Sequence, residues 1–149
     1  MRRDSAPVKI DAIGVGTSVY DKLEENSIDV EAMIGNEATD EMSKDGLFKF
    51  KNKRALWYWR MKEALDPESG NDLSLPPDKK MAADLCAFTY KVGDGRIIQV
   101  EGKPEAKKRL GRSPDAGDAV IYANSAAPAI SDLRKGSKKI GRASCRERV

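Results

Sequence analysis

The sequence contains no histidine, and only two of its 149 residues are cysteines. Histidine is the commonest general base and a common zinc ligand, so neither role has its usual residue. Cys86 and Cys145 lack the close spacing of a metal or redox motif, which favours a reducing compartment such as the cytoplasm. Any catalysis must therefore depend on carboxylates, lysines or metal ions held by oxygen ligands.

Long apolar runs are also missing. No stretch approaches the roughly 18 apolar residues of a membrane-spanning helix. The basic opening segment MRRDSAPVKID is not followed by the apolar region of a signal peptide. Charged residues make up 34% of the chain, yet a hydrophobic fraction of 40% is enough for a packed core. Length and composition thus predict one soluble domain with no membrane partner.

The last ten residues, IGRASCRERV, can be encoded by ATC GGA AGA GCG TCG TGT AGG GAA AGA GTG, which resembles a common sequencing adapter. We therefore expect residues 140–149 to be a translated adapter, and a genuine basic tail is the alternative. This segment holds three arginines and one glutamate, so without it the formal net charge falls from +3 to +1. Global basicity is then no argument for a nucleic-acid partner.

The apolar pattern predicts alternating strands and helices. In chain order the predicted elements are a strand over 7–16, a helix over 17–26, a strand over 28–35, a polar loop over 36–49, a helix over 52–66, a loop over 67–77, a helix over 78–88, a hairpin over 87–100, a basic connector over 101–112 and a helix within 111–123. The first three form a βαβ unit with a parallel strand pair. The class is α/β with a mixed sheet, and we expect 125–139 to be a flexible linker.

Several predicted helices carry start signals. Thr17, Asp78 and Ser113 are the expected caps, and Pro114 suits the first helical position. In the helix over 52–66, the apolar face is expected to include Ala55, Tyr58, Trp59 and Met61–Leu65. The aromatic triplet WYW at 57–59 is more typical of a core than of a base-stacking platform.

The first candidate for chemistry is Asp11, which precedes the glycine pair of GVG near the end of a predicted strand. Open α/β sheets place their ligands at such strand ends. A glycine turn before a helix can also cradle phosphate, but Val19 stands where a third glycine belongs and no Walker lysine is present. A tight strand–helix turn is the simpler interpretation of this segment.

The second candidate is the pair Asp115 and Asp118, three residues apart at the start of the final helix. Residues at this spacing share a helix face, and carboxylates are favoured as anions near a helix N-terminus. Ordinary acid placement therefore explains the pair taken alone. Together with Asp11, however, the pair can converge on a hard divalent ion, since Mg²⁺ needs only one or two carboxylates plus waters and phosphates.

Basic residues precede this acidic pair in the segment KPEAKKRLGR, where a phosphodiester substrate would need them. A solvated charged loop is the alternative. The candidate DNA-binding residues are Lys103, Lys107, Lys108, Arg109 and Arg112.

The segments VKIDAIGVGTSVYDKL, FKNKRALWYWRMKEAL, LPPDKKMAADLCAFTYKV, GRIIQVEGK and AKKRLGRSPDAGDAVIYA, in this order, resemble the C-terminal nuclease domain of large terminase subunits from tailed bacteriophages. The resemblance covers roughly residues 7–124. Its most specific elements are D-x-I-G-V-G, N-x-R-A-x-x-W and R-S-P-D-x-x-D-A in fixed order. It implies a ribonuclease H-like nuclease fold, with a mixed sheet flanked by helices.

The resemblance also implies a two-metal endonuclease that uses Mg²⁺ or Mn²⁺ to cleave concatemeric double-stranded DNA during genome packaging. Asp11 matches the acidic position at the end of an inner strand, and Asp115 matches the one at the start of the final helix. Asp118 is an alternative or auxiliary ligand, because relatives differ at this point. Lys103 and Arg109 are expected to touch the DNA backbone.

The family's first metal-binding aspartate and its ATPase motor lie upstream of anything in this sequence. We therefore expect residues 1–124 to be a partial nuclease domain without its N-terminal strands, inactive alone and linked to ATP only through the motor. The implied partners are DNA, the small terminase subunit and the portal protein, in the bacterial host cytoplasm at the procapsid portal. A non-catalytic DNA- or portal-binding module is the alternative function, and a nucleotide-binding α/β protein that uses GVG is a third.

Overall fold

The computed structural model describes residues 7–71 and 73–125. The predicted linker over 125–139, except for Ser125, and the predicted adapter over 140–149 lie outside the described residues. In chain order the elements are β1 (Val8–Asp11), α1 (Val15–Glu25), β2 (Val30–Met33), β3 (Lys49–Phe50), α2 (Lys53–Leu65), α3 (Lys79–Leu85), β4 (Tyr90–Gly93), β5 (Ile97–Val100), α4 (Lys103–Leu110) and α5 (Asp115–Ser125). No helix of this part of the chain is long and apolar enough to cross a membrane.

The predicted βαβ unit is confirmed, because β1 and β2 pair in parallel with Val8 opposite Val30 and α1 connects them. The turn between β1 and α1 is very tight: a Cβ on Gly16 would lie 1.7 Å from the carbonyl oxygen of Asp11. Only glycine fits there, so the GVG motif has a structural explanation. Thr17 does not cap the helix as expected; its hydroxyl donates to the carbonyl of Ala12 instead.

The remaining strands form a second sheet, in which β5 lies between β3 and β4. β3 pairs with β5 in parallel, whereas β4 and β5 form the predicted antiparallel hairpin. The α/β class with a mixed sheet is therefore confirmed. The described strands are divided between two small sheets, rather than joined in one.

Helix α2 supplies most of the core. Its buried residues are Ala55, Leu56, Trp57 and Met61, whereas Tyr58 and Trp59 are only partly buried. The predicted apolar face was thus wrong in part, since Leu56 and Trp57 are buried. Around them lie the other buried apolar residues of the cluster, which are Met33, Phe50, Ile98 and Ile121.

Two α-helices, α3 and α4, lie between α2 and α5. Asp78 caps α3 as predicted, because its carboxylate accepts hydrogen bonds from the backbone N–H groups of Lys80 and Met81. The prediction of a basic connector over 101–112 is wrong, because most of this segment forms helix α4. Pro104 in the first turn and Gly111 at the C-cap, with φ of 70°, are the start and stop signals for this helix.

The start of α5 also differs from the sequence prediction. The backbone N–H of Asp118 donates to the carbonyl of Pro114, so Pro114 precedes the helix instead of opening it. The Ser113 hydroxyl does not cap the helix but donates to the Asp115 carboxylate at 2.5 Å. The capping acceptor comes from another helix, through the buried side chain of Asp84.

Candidate active site

The centre of the candidate site is Asp118, whose side chain is only 9% exposed. The Tyr58 hydroxyl of α2 donates a hydrogen bond to its Oδ1. The Lys103 ammonium of α4 lies 2.8 Å from its Oδ2. Both carboxylate oxygens are therefore held by groups from other helices, and this fixes the orientation of the side chain.

Asp115 lies one turn earlier on α5 and is far more open, with 74% of its side chain exposed. Lys103 reaches it as well, at 3.1 Å, and so bridges the two aspartates. The hydrogen bond from Ser113, together with Lys103, holds the pKa of Asp115 below its usual value. Partial burial opposes protonation of Lys103, but its contacts with Asp118 and Asp115 prevail and raise the Lys103 pKa.

Asp11 joins the site from the end of β1. The Tyr122 hydroxyl of α5 lies 3.4 Å from Asp11 Oδ2, and the backbone N–H of Ile13 donates to Oδ1. Burial, followed by the charges of Asp11 and Asp118, raises the pKa of Tyr122 to about 12. Tyr122 therefore stays a neutral donor near Asp11 and Asp118, which come from opposite ends of the described residues.

Arg54, from the sequence N-x-R-A at the start of α2, supplies positive charge beside Tyr58, which contacts Asp118. Its guanidinium lies 5.0 Å from the ring centroid of Tyr58 and 4.9 Å from that of Phe88. It also donates to the Tyr58 hydroxyl at 3.3 Å. Burial raises the pKa of Tyr58, and the nearby Arg54 charge only partly opposes this. Tyr58 is thus another neutral donor.

The structure places the five candidate DNA-binding residues in different roles. Lys103 contacts the two aspartates, while Lys107 and Lys108 are exposed on α4. Arg109 pairs with Glu101 and donates to the Ala87 carbonyl, which ties α4 to the hairpin. Arg112 is in ion-pair contact with Asp84.

Sequence reasoning missed Tyr58, Tyr122, Asp84 and Arg54. Tyr122 follows Asp118 by four residues, so helical spacing was an available signal for it. Arg54 stands in the N-x-R-A element and precedes its partner Tyr58 by four residues, so motif and helical spacing were available signals for it as well. For Tyr58 and Asp84 the sequence carries no such signal, because the groups of α5 that they contact lie on a different element. Tyr58 meets an aspartate 60 residues away, for example.

Carboxylate oxygens are the donors that Mg²⁺ and Mn²⁺ prefer, so Asp11, Asp118 and Asp115 fit such an ion chemically. Within residues 7–71 and 73–125, however, no three acidic or cysteine side chains lie close enough to hold a metal ion together. One or two carboxylates with waters and a substrate phosphate would suffice for Mg²⁺. A bound ion would supply an activated water and stabilise negative charge on a phosphodiester.

No protein-family model matches the chain, and a search of curated proteins gives no match. Solved structures do match. They define the class of the fold as that of terminase nuclease domains, which is ribonuclease H-like. At identities this low the likeness establishes the fold alone.

In particular, the chain is similar to the nuclease domain of the large terminase subunit gp2 of bacterial virus Sf6, with 23% identity and a TM-score of 0.61 over 81% of this chain and 65% of that one. It is similar to a mutant of the same domain with manganese, at 21% identity and a TM-score of 0.59, over 80% of this chain and 65% of that one. It is also similar to a mutant of this domain with calcium, at 22% identity and a TM-score of 0.59, over 80% of this chain and 64% of that one. The chain thus spans slightly less than two thirds of these structures.

Proposed function

We propose that this chain is part of a metal-dependent endonuclease domain of a phage terminase large subunit, which cleaves concatemeric double-stranded DNA during genome packaging. The observation that carries the proposal is that α5, which carries Asp115 and Asp118, also places the Tyr122 hydroxyl 3.4 Å from Asp11 Oδ2, within a terminase nuclease fold. Manganese and calcium accompany structures of the similar domain, which supports a divalent ion as cofactor. In the parent protein the site would follow a two-metal mechanism, with Mg²⁺ or Mn²⁺.

Each residue has a proposed role. Asp11, at the end of β1, is one principal metal ligand. Asp118 is the other, because its side chain is nearly buried and is oriented by its partners. Asp115, more exposed, is the auxiliary ligand. Lys103 neutralises the pair before a metal or DNA phosphate arrives, and Lys107 and Lys108 face the DNA backbone.

The small terminase subunit and the portal protein are the proposed assembly partners, at the procapsid portal in the host cytoplasm. An ATPase motor would belong to the parent protein. We expect the chain alone to cleave DNA negligibly, since the described carboxylates do not bring three ligands together. This expectation also fits its limited span of the similar domains.

Metal binding can be tested directly on the chain. A Mn²⁺ titration followed by NMR should broaden the amide signals of Asp11, Asp115 and Asp118 before others, since the paramagnetic effect decreases steeply with distance from the ion. Asp118→Asn should raise the Mn²⁺ concentration needed for half-broadening at least tenfold. Asp94→Asn, the same change in the exposed hairpin turn, should leave it unchanged. Broadening that is uniform, or unaffected by Asp118→Asn, would contradict the proposed metal site.

Cleavage is tested with supercoiled plasmid and Mn²⁺. Negligible nicking is the expected result for the chain alone. Robust nicking that Asp115→Ala abolishes would show that the residues present suffice, and would overturn the expected inactivity. Metal-independent retention of DNA, unaffected by the aspartate variants, would favour a non-catalytic binding module.

A further inference from the structure

Asp84 is a fully buried carboxylate on helix α3, with 0% of its surface exposed. Its Oδ2 accepts hydrogen bonds from the backbone N–H groups of Ala116, at 3.2 Å, and of Gly117, at 3.3 Å. These groups belong to the first turn of α5, where backbone N–H groups have no partner within their own helix. A residue 32 positions earlier therefore caps the helix that carries Asp115 and Asp118.

The other carboxylate oxygen of Asp84 is in ion-pair contact with Arg112 Nη1. A buried carboxylate requires such compensation, because its removal from water is costly. Arg112 also donates to the carbonyl of Ser113, at 3.2 Å, and to that of Lys80, at 3.4 Å. The arginine thus ties the segment before α5 to α3 at the same point.

Gly117 allows α5 to approach α3 this closely. A Cβ at this position would lie 2.8 Å from Asp84 Cβ and 3.0 Å from the carbonyl carbon of Asp84. These contacts are too short for any other residue, so the first turn of α5 rests directly on the backbone of α3. Asp118 is the next residue of this turn.

We propose that Asp84, held by Arg112, is a positioning residue that fixes the first turn of α5 and so orients Asp115 and Asp118 for the metal. The proposal rests on the proposed function, since it assigns a purpose to the fixed geometry of those ligands. The local cap that would make Asp84 dispensable is missing, because the Ser113 hydroxyl donates to Asp115 instead. Loss of Asp84 should therefore release the helix start and weaken metal binding together.

The test compares two measurements on the ¹⁵N-labelled chain: amide hydrogen exchange at Ala116 and Gly117, and Mn²⁺ broadening of the Asp115 and Asp118 signals. For Asp84→Ala we expect at least tenfold faster exchange and at least a fivefold higher Mn²⁺ concentration for half-broadening. Asp84→Asn keeps an acceptor oxygen but loses the charge, and should give intermediate values in both. Asp78→Ala removes the cap of α3 itself. It should lower the melting temperature while both measurements stay within twofold of the original chain.

Lower melting temperature without a change in Mn²⁺ broadening, in either Asp84 variant, would overturn the positioning role. If Asp84→Ala fails to fold by circular dichroism, the isosteric Asp84→Asn decides the matter alone. Absence of site-specific Mn²⁺ broadening in the original chain would overturn the proposed function. In that case, unchanged amide hydrogen exchange at Ala116 and Gly117 in Asp84→Asn would also overturn the proposal that Asp84 fixes the first turn of α5. Faster exchange there would support that part of the proposal.

Discussion

At the scale of single residues, burial separates the two aspartates that open helix α5. Asp115 and Asp118 stand one turn apart on the same helix, yet their side chains are 74% and 9% exposed. The family resemblance favoured Asp115 as the metal ligand and made Asp118 the alternative or auxiliary one. Asp118 has the better-defined geometry, because Tyr58 and Lys103 hold its two oxygens.

The hydroxyl of Tyr58 provides a test of that geometry. Tyr58→Phe removes the hydrogen bond to a nearly buried carboxylate and should lower the free energy of unfolding by about 1–2 kcal/mol. Urea denaturation measures the change. Tyr20→Phe is the matched control, since its hydroxyl makes only an exposed contact of 3.5 Å with Glu24. Equal effects of the two variants would show that the Tyr58 hydroxyl does not hold Asp118.

At the scale of elements, α4 connects the hairpin to the site. Arg109, near its C-terminal end, pairs with Glu101 of the segment after β5, and Lys103 at its start reaches the aspartates of α5. The hydrogen bond from Arg109, followed by those from Thr89, keeps the pKa of Glu101 below its usual value. Ionised Glu101 therefore stabilises this connection.

The pH dependence of stability follows from that lowered pKa. The stabilisation from Glu101 should be present above its unfolded-state pKa, near 4.5, and lost as the pH falls through the lower folded-state value. Arg109→Met should raise the Glu101 pKa, measured by NMR titration, and move the loss of stability to higher pH. Lys108→Met removes the same charge from an exposed neighbour on α4. A Glu101 pKa that rises equally in both variants would contradict the specific pairing.

The elements were largely predictable, and their contacts were not. Asp78 could be identified as a cap because its partners lie within three residues, and the βαβ unit followed from local patterning. Helix α4 was missed although Pro104 and Gly111 mark its ends, because its charged sequence suggested a loop. The role of Asp84 could not be inferred, since its hydrogen bonds reach 32 residues along the chain.

At the scale of the whole molecule, packing is uneven across the described residues. The α2 helix and the three-stranded sheet contribute most of the buried apolar cluster, whereas α1 has no buried residue. On α1, Val15 is 86% exposed and Val19 is 48% exposed. The paired strands β1 and β2 thus have much less apolar cover than the rest, although parallel strands are normally buried on both faces.

This difference predicts an order of local stability. Amides of the β1–α1–β2 unit should exchange with deuterium at least tenfold faster than those of α2, because they open without exposing much apolar surface. Hydrogen exchange followed by NMR or mass spectrometry measures this. Replacing both Val15 and Val19 by Lys should leave the melting temperature within about 2 °C, since the described residues bury neither. Protection equal to that of α2 would show that the unit is part of the cooperative core.

The contact between Tyr122 and Asp11 has a consequence for how the protein folds. These residues are 111 positions apart, whereas the β1–β2 pair and the β4–β5 hairpin close much shorter loops. Loop closure becomes entropically more costly with length, so distant pairings tend to form after local ones. The two halves of the site would therefore meet late in folding. Intermediates would carry Asp11 and Asp118 apart, and a chain still emerging from the ribosome would lack the contact between α5 and Asp11 until α5 was complete.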